Sequence, residues 1–265
     1  MSDQVEIISV DATNVDELGF FCYKSKPKSA GYQHKLNWLK QRFPEGLRLE
    51  ILYEGNRSVG YIEYIPGEYA WRAVKAEGYM LIHCLWVVGR GKGKGYGSRL
   101  LDKCVESARK AHMRGVAMVS SSRVWVAGSK LFLKNGFEMV DRAPPTFELV
   151  VRRFDDGPLP AFPNNWDQRL RRYGPGLSVV YADQCPYMPD AVKGVLEAAQ
   201  EKDIKARPVK LESSYQVQDS APSAYGIFSV VYDGQLVSYH YLGKKEKTRL
   251  FELVDAGGTP DAGSS

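Results

Sequence analysis

The chain has 265 residues, 44% of them hydrophobic and 25% charged, with a formal net charge of +5. That is ordinary composition for a soluble globular protein, long enough for one large domain or two smaller ones. The mild positive balance suits an anionic ligand but falls well short of a nucleic-acid footprint, and no apolar run reaches membrane-spanning length.

The N-terminus, MSDQVEIISVDATN, lacks a basic-then-apolar leader pattern. Four cysteines (Cys22, Cys84, Cys104, Cys185) are scattered without a CxxC pair, and no Cys or His spacing suggests a metal. A reducing, cytoplasmic setting is expected, with no metal, nucleic-acid or membrane partner. Alternation in Val5–Val10 predicts a first strand. Thr13 and Asn14 precede a short helical stretch, and Ala30–Phe43 reads as a second helix. LRLEILYEG and RSVGYIEYI flank an EGN turn and predict a hairpin. Tyr79–Val88 is mostly apolar and suits the centre of a sheet. Ser98–Met113 carries Leu100, Leu101, Cys104, Val105 and Ala108 at helical spacing, and GVAMVSS follows as a strand. Trp125–Lys134 reads as a helix stopped at Gly136, and FELVVRRF closes the unit as a strand.

Residues 155–176 hold four prolines and three glycines and read as a linker, with Phe162, Trp166 and Leu170 packing against a domain. The pattern then restarts. Strand LSVVYA, helix Asp190–Lys202, strand ARPVKLE, a hairpin turning at Asp233-Gly234 and a helix near Lys244–Val254 make a second small α/β domain. Residues 1–154, 155–176 and 177–256 are thus the expected units, and 257–265 an expected disordered tail.

The densest signal is GRGKGKGYGSRLL from Gly89. Five glycines and three cations occupy nine residues before a helix. Glycine at such density serves a backbone that something must approach closely, and N–H groups at a helix start attract anions. The P-loop pattern G-x-x-x-x-G-K-[ST] fits no register, and G-x-G-x-x-G fails because Tyr96, Ser98 or Leu100 falls at its last position. A basic residue followed by x-x-G-x-G does fit, as Lys92, Gly95 and Gly97.

With strand IHCLWVV before it and FLKNGF some thirty residues after, this loop resembles the GNAT N-acetyltransferase family over roughly Val5–Phe154. The resemblance implies a mixed sheet with flanking helices and acetyl-CoA as cosubstrate. It implies that amides of Lys92, Gly93, Lys94, Gly95, Tyr96, Gly97 and Ser98 hold the diphosphate, with the backbone of Leu85, Val87 and Val88 along the pantetheine arm. The acceptor it implies is a small-molecule primary amine. Period-two alternation puts Leu81, His83, Leu85 and Val87 on one face and Cys84 on the other. His83 lies where some members place a general base; the alternative is a core histidine bonded to a neighbour. The family's usual acid, a tyrosine, is replaced by Phe132, which cannot donate a proton. Unassisted thiolate departure, substitution by Ser121, Ser122 or another hydroxyl, or lost catalysis remain open. Trp125 stands where Asn is common.

In the second domain, Cys185-Pro-Tyr-Met resembles the Cys-Pro-Tyr-Cys motif of glutaredoxins in a thioredoxin-like fold, with Pro222 as the candidate cis-proline. The domain pairing resembles acetyltransferases of the YoaP type. Met188 replaces the second cysteine, which rules out a two-thiol cycle within the motif. Cys185 is then a reactive thiol with lowered pKa, or part of a scaffold shaping the acceptor site or a homodimer contact. The rival to the enzyme is a non-catalytic, CoA-binding thiol or metalloid sensor.

Overall fold

The computed structural model describes residues 4–124, 126–242 and 251. The chain runs β1 (Val5–Val10), α1 (Val15–Leu18), α2 (Ala30–Arg42), β2 (Arg48–Glu54), β3 (Arg57–Pro66), β4 (Tyr79–Val87), α3 (Tyr96–Lys110), β5 (Gly115–Ser120), α4 (Ser129–Lys134), β6 (Glu138–Ala143) and β7 (Phe147–Arg153). It continues through α5 (Trp166–Arg171), β8 (Leu177–Tyr181), α6 (Met188–Glu201), β9 (Ala206–Lys210), α7 (Ser214–Ser220), β10 (Phe228–Tyr232) and β11 (Gln235–Ser238). No helix among the described residues is long and apolar enough to cross a membrane.

The first sheet has seven strands in the order β1-β2-β3-β4-β5-β7-β6, antiparallel except for the β4–β5 pair. It is a mixed α/β architecture. β4 sits fourth of seven, and its first five residues are buried, which explains its near-continuous apolar run. The stripe Leu100, Leu101, Cys104, Val105 and Ala108 is the buried face of α3, as its spacing predicts. Ser29 caps α2, its hydroxyl accepting from the Tyr32 N–H at 3.3 Å.

The second sheet has the order β11-β10-β8-β9, with β8 and β9 parallel and the other pairs antiparallel. Its hairpin turns where expected, with Asp233 and Gly234 at φ of 47° and 76°. Three elements escape the sequence reading. β6 is a sheet-edge strand with Met139 exposed and Val140 partly so, α7 is short and polar, and α5 lies inside the expected linker. The second unit is therefore β-α-β-α-β-β over the described residues. Helix α4 starts at Ser129 rather than Trp125, and Trp125 lies outside the described residues. So do the tail and, Phe251 apart, most of the expected last helix. The cis bond among the described residues is Pro144–Pro145, so Pro222 does not supply the expected cis-proline.

The segment between the sheets is pinned down. Lys75 and Ala161 exchange backbone hydrogen bonds at 2.9 and 3.0 Å, and the buried Arg169 guanidinium donates to Gln218 O at 2.6 Å. Across the same seam the Gln218 amide donates to Ala70 O at 2.9 Å. Gly226 (φ +79°) lies so close that a Cβ there would stand 2.9 Å from Arg72 Cα. These contacts bring the second sheet against the loop after β3.

Candidate active site

Beyond β4 the chain makes a tight turn at Gly89–Gly91, and Lys92 is extended. Gly93 and Gly95 follow at φ of +81° and +76°, conformations that a side chain makes costly. Helix α3 then begins at Tyr96 with no side-chain cap and no acidic residue in its first turn. Its leading N–H groups therefore have no intrahelical acceptor and sit at the positive end of the helix dipole. Lys94 Nζ lies 2.7 Å from Glu54 Oε1, an oxygen that also accepts from the Tyr96 hydroxyl. Lys92 Nζ lies 5.9 Å from the centre of the Trp86 ring.

Strand β4 is laddered to β5 only over Tyr79–Ile82, so its C-terminal half has an open edge on that side. On the β3 side Cys84 stands opposite Glu63 and Ile82 opposite Tyr64, which leaves His83 as the extra residue of a bulge. The bulge overturns the expected alternation. His83 lines the same cavity as Cys84, Trp86 and Val88. Leu85 and Val87 keep to the α3 side: a Cβ at Gly60 would touch Val87 and Leu100 at 3.1 and 3.3 Å, and one at Gly97 would lie 3.9 Å from Leu85. The Val88 N–H is already donated to Val59 O at 2.9 Å, so it is not free for a ligand.

The cavity measures about 310 Å³ and is walled by β3 and β4, the N-terminus-to-α2 segment, and residues 184–188 and 225–227 of the second unit. At its heart is Glu63, 2% exposed. Glu63 Oε2 pairs with Lys35 Nζ at 2.5 Å, and Oε1 accepts from Gln184 Nε2 at 2.7 Å and stands 3.2 Å from His83 Nδ1. Burial pushes the Glu63 carboxyl up, but the Lys35 charge and the His83 hydrogen bond outweigh it and hold it at about 2.

His83 is fully buried, and both ring nitrogens are engaged. The Trp71 backbone N–H donates to Nε2 at 2.9 Å, which leaves the proton on Nδ1, facing Glu63. Burial first, then the Arg72 charge, pushes its pKa down to about 4 against the pull of Glu63. With its Nε2 lone pair taken by the Trp71 N–H, this geometry favours the hydrogen-bonded core histidine over the general base for His83.

Arg72 is 1% exposed. Nη1 donates to Trp71 O at 2.7 Å and to Gln184 Oε1 at 3.2 Å, Nη2 donates to His83 O at 2.5 Å, and buried Nε has no acceptor.

Three thiols reach the cavity from distant parts of the chain. Cys22 Sγ donates to the Tyr61 hydroxyl at 3.3 Å, which donates to Cys84 Sγ at 2.8 Å, and Cys185 lines the wall nearby. Burial pushes each of the three up to about 12. For Cys185 this reverses the expected activation: α6 starts only at Met188, and desolvation dominates. Phe132 is fully buried, edge-on to Phe137 at 5.4 Å, and Ser121 bonds to the Thr146 hydroxyl at 2.9 Å. Lys35, Glu63, Arg72 and Gln184 went unnoticed in the sequence. The one signal was Glu63 amid the apolar run of YIEYI.

A glycine loop feeding an uncapped helix beside the open half of a central strand sets an anion site next to a free strand edge. Residues 15–137 match the acetyltransferase (GNAT) family. The chain is also 30% identical to the uncharacterized N-acetyltransferase YoaP of Bacillus subtilis (strain 168) over 254 residues, covering 93% of this chain and 98% of that protein. The protein belongs to the GNAT family of acetyltransferases. Similar solved structures include yncA from Salmonella typhimurium with its cofactor acetyl-CoA (16% identity, TM-score 0.45, 58% of this chain and 96% of that one). Another is the PaiA N-acetyltransferase of Thermoplasma acidophilum in complex with coenzyme A (14% identity, TM-score 0.41, 57% and 99%).

Proposed function

We propose that the protein moves the acetyl group of acetyl-CoA onto the primary amine of a small molecule held in the cavity between the two sheets. One observation carries this reading. The open half of β4 has the glycine loop at its end and the largely apolar cavity on its other face. Of the expected amides, those of Gly93 and Gly95 to Ser98 would receive the diphosphate, the Lys92 and Lys94 N–H groups being donated to Gly89 O and Gly91 O at 3.1 and 3.5 Å. The open edge of Leu85–Val87 would receive the pantetheine arm. Lys92 and Lys94 add charge around the loop.

The nitrogen attacks the thioester carbonyl carbon, the tetrahedral adduct collapses, the C–S bond breaks, and the amine's surplus proton balances the departing thiolate. An attacking amine must be neutral. Desolvation in the cavity, with Lys35 and Arg72 in its wall, disfavours an ammonium and so favours the reactive form. His83 acts as a positioning residue that orients Glu63. The thiolate leaves without a side-chain acid at position 132, a loss of about 10²–10⁴-fold at most.

The 4-3-1-2 order of the second sheet supports the thioredoxin-like reading, and its role here is to complete the acceptor wall. Burial raises the Cys185 pKa, which weighs against the thiol-sensor alternative. Calorimetry with coenzyme A and mass spectrometry of products from an amine panel test the proposal. CoA binding with acetylated amine supports it; no CoA uptake overturns it.

A further inference from the structure

The cavity wall carries three charged side chains among the described residues: Lys35, Glu63 and Arg72. Lys35 and Glu63 neutralise each other at 2.5 Å. His83 cannot join Glu63 as a second cation, because Nε2 accepts the Trp71 N–H. One buried positive charge, that of Arg72, is left unbalanced.

Its donors meet only neutral oxygens, two of them backbone carbonyls, and Nε meets none. The Tyr225 ring, 5.3 Å from Cζ, offers only its π face. A guanidinium so enclosed is costly unless an anion compensates it. The weakest of its bonds, 3.2 Å to Gln184 Oε1, is the one an incoming acceptor oxygen could replace on Nη1. Around this charge the wall is aromatic and apolar, with Phe20, Phe21, Trp86, Tyr187 and Tyr225. About 310 Å³ is the lower end of small-molecule sites, so the occupant is small.

We infer that the acceptor is an amino acid or close analogue: a small amine with a carboxylate that pairs with Arg72 and an apolar or aromatic side chain that fills the cavity. This rests on the acetyl-transfer reading for the amine, but the carboxylate site stands on Arg72 alone. The carboxylate would balance the guanidinium and leave the amine near the uncharged mouth of β4. Carboxylate pairing with arginine is planar and two-pronged, so lysine is a poor substitute.

The experiment compares matched probes on the full-length protein. L-Phenylalanine is set against phenethylamine and L-leucine against isoamylamine as acetyl acceptors, and hydrocinnamate is titrated calorimetrically without acetyl-CoA. The amino acids are expected to be acetylated with kcat/KM roughly ten- to a hundredfold above the matched amines. Hydrocinnamate should bind the wild type and bind Arg72→Lys and Arg72→Met about tenfold or more weakly. Matched amines reacting as well as the amino acids, or no probe carboxylate binding, would overturn the inference. The wild-type comparison decides even if neither Arg72 variant folds. Failure of CoA binding with hydrocinnamate still captured would sink the transfer reading and leave the carboxylate site standing. Acetylation of simple amines alone would do the reverse.

Discussion

Lowering the pH tests whether His83 is a buried neutral histidine or a working base. In the native protein its proton is held with a pKa of about 4, against 6.5 for an exposed imidazole. The unfolded chain therefore binds this proton first. The stabilising contribution is full above pH 6.5 and is lost as the pH falls through 6.5 towards 4. The gap corresponds to about 3 kcal/mol, of which about 2–3 kcal/mol is gone by pH 4.5. Glu63 adds a second loss lower down, between 4.5 and about 2. Replacing His83 with Gln keeps an acceptor for the Trp71 N–H and a donor for Glu63 but cannot titrate. Urea unfolding from pH 7.5 to 4.5 should show the wild type losing about 2–3 kcal/mol more than His83→Gln over that range. The rate profile of the wild type should also lack an inflection near 6.5 that disappears in the variant. Equal pH slopes, or a His83 ring resonance titrating near 6.5 in the folded protein, would refute the reasoning.

Glu63→Gln strips Lys35 of its partner inside the fold and should cost about 3–5 kcal/mol by urea unfolding; adding Lys35→Met should restore most of it. A Cβ at Gly31 would lie 2.0 Å from Pro186 O, so Gly31→Ala should cost about 1–3 kcal/mol and weaken acceptor binding while CoA affinity, followed by calorimetry, holds. Gly95→Ala at φ +76° should strain the loop by about 1–2 kcal/mol and lower CoA affinity; an unchanged Kd would remove the loop from the site. Iodoacetamide at pH 8 should leave Cys22, Cys84 and Cys185 unlabelled in the native protein and label all four cysteines in urea, as peptide mass spectrometry would read.

The half of the site built from consecutive residues was legible before any coordinates. Gly93 and Gly95 need left-handed backbone, and α3 carries a regular apolar stripe, so both leave marks in the sequence. The half proposed to hold the acceptor did not announce itself. Arg72 and Gln184 lie 112 positions apart and meet only because two sheets close on each other. The bulge at His83 is invisible in an apolar strand, since every neighbour there is hydrophobic whichever way it points. Residues of α7 and β6 gave too little periodicity, the first being short and polar and the second half exposed at a sheet edge. Cys185 shows how context overrides motif: proximity to a helix start suggested a lowered thiol pKa, whereas desolvation by its surroundings raises it.

The carboxamide of Gln184 faces two ways, its nitrogen towards Glu63 and its oxygen towards Arg72. A single side chain of the C-terminal half thus keeps an anion and a cation of the N-terminal half in register. On the proposed reading, recognition of the acceptor is shared by both halves, and grafting a different C-terminal half onto the same GNAT domain is expected to retune what the enzyme accepts without touching how it grips its acyl donor.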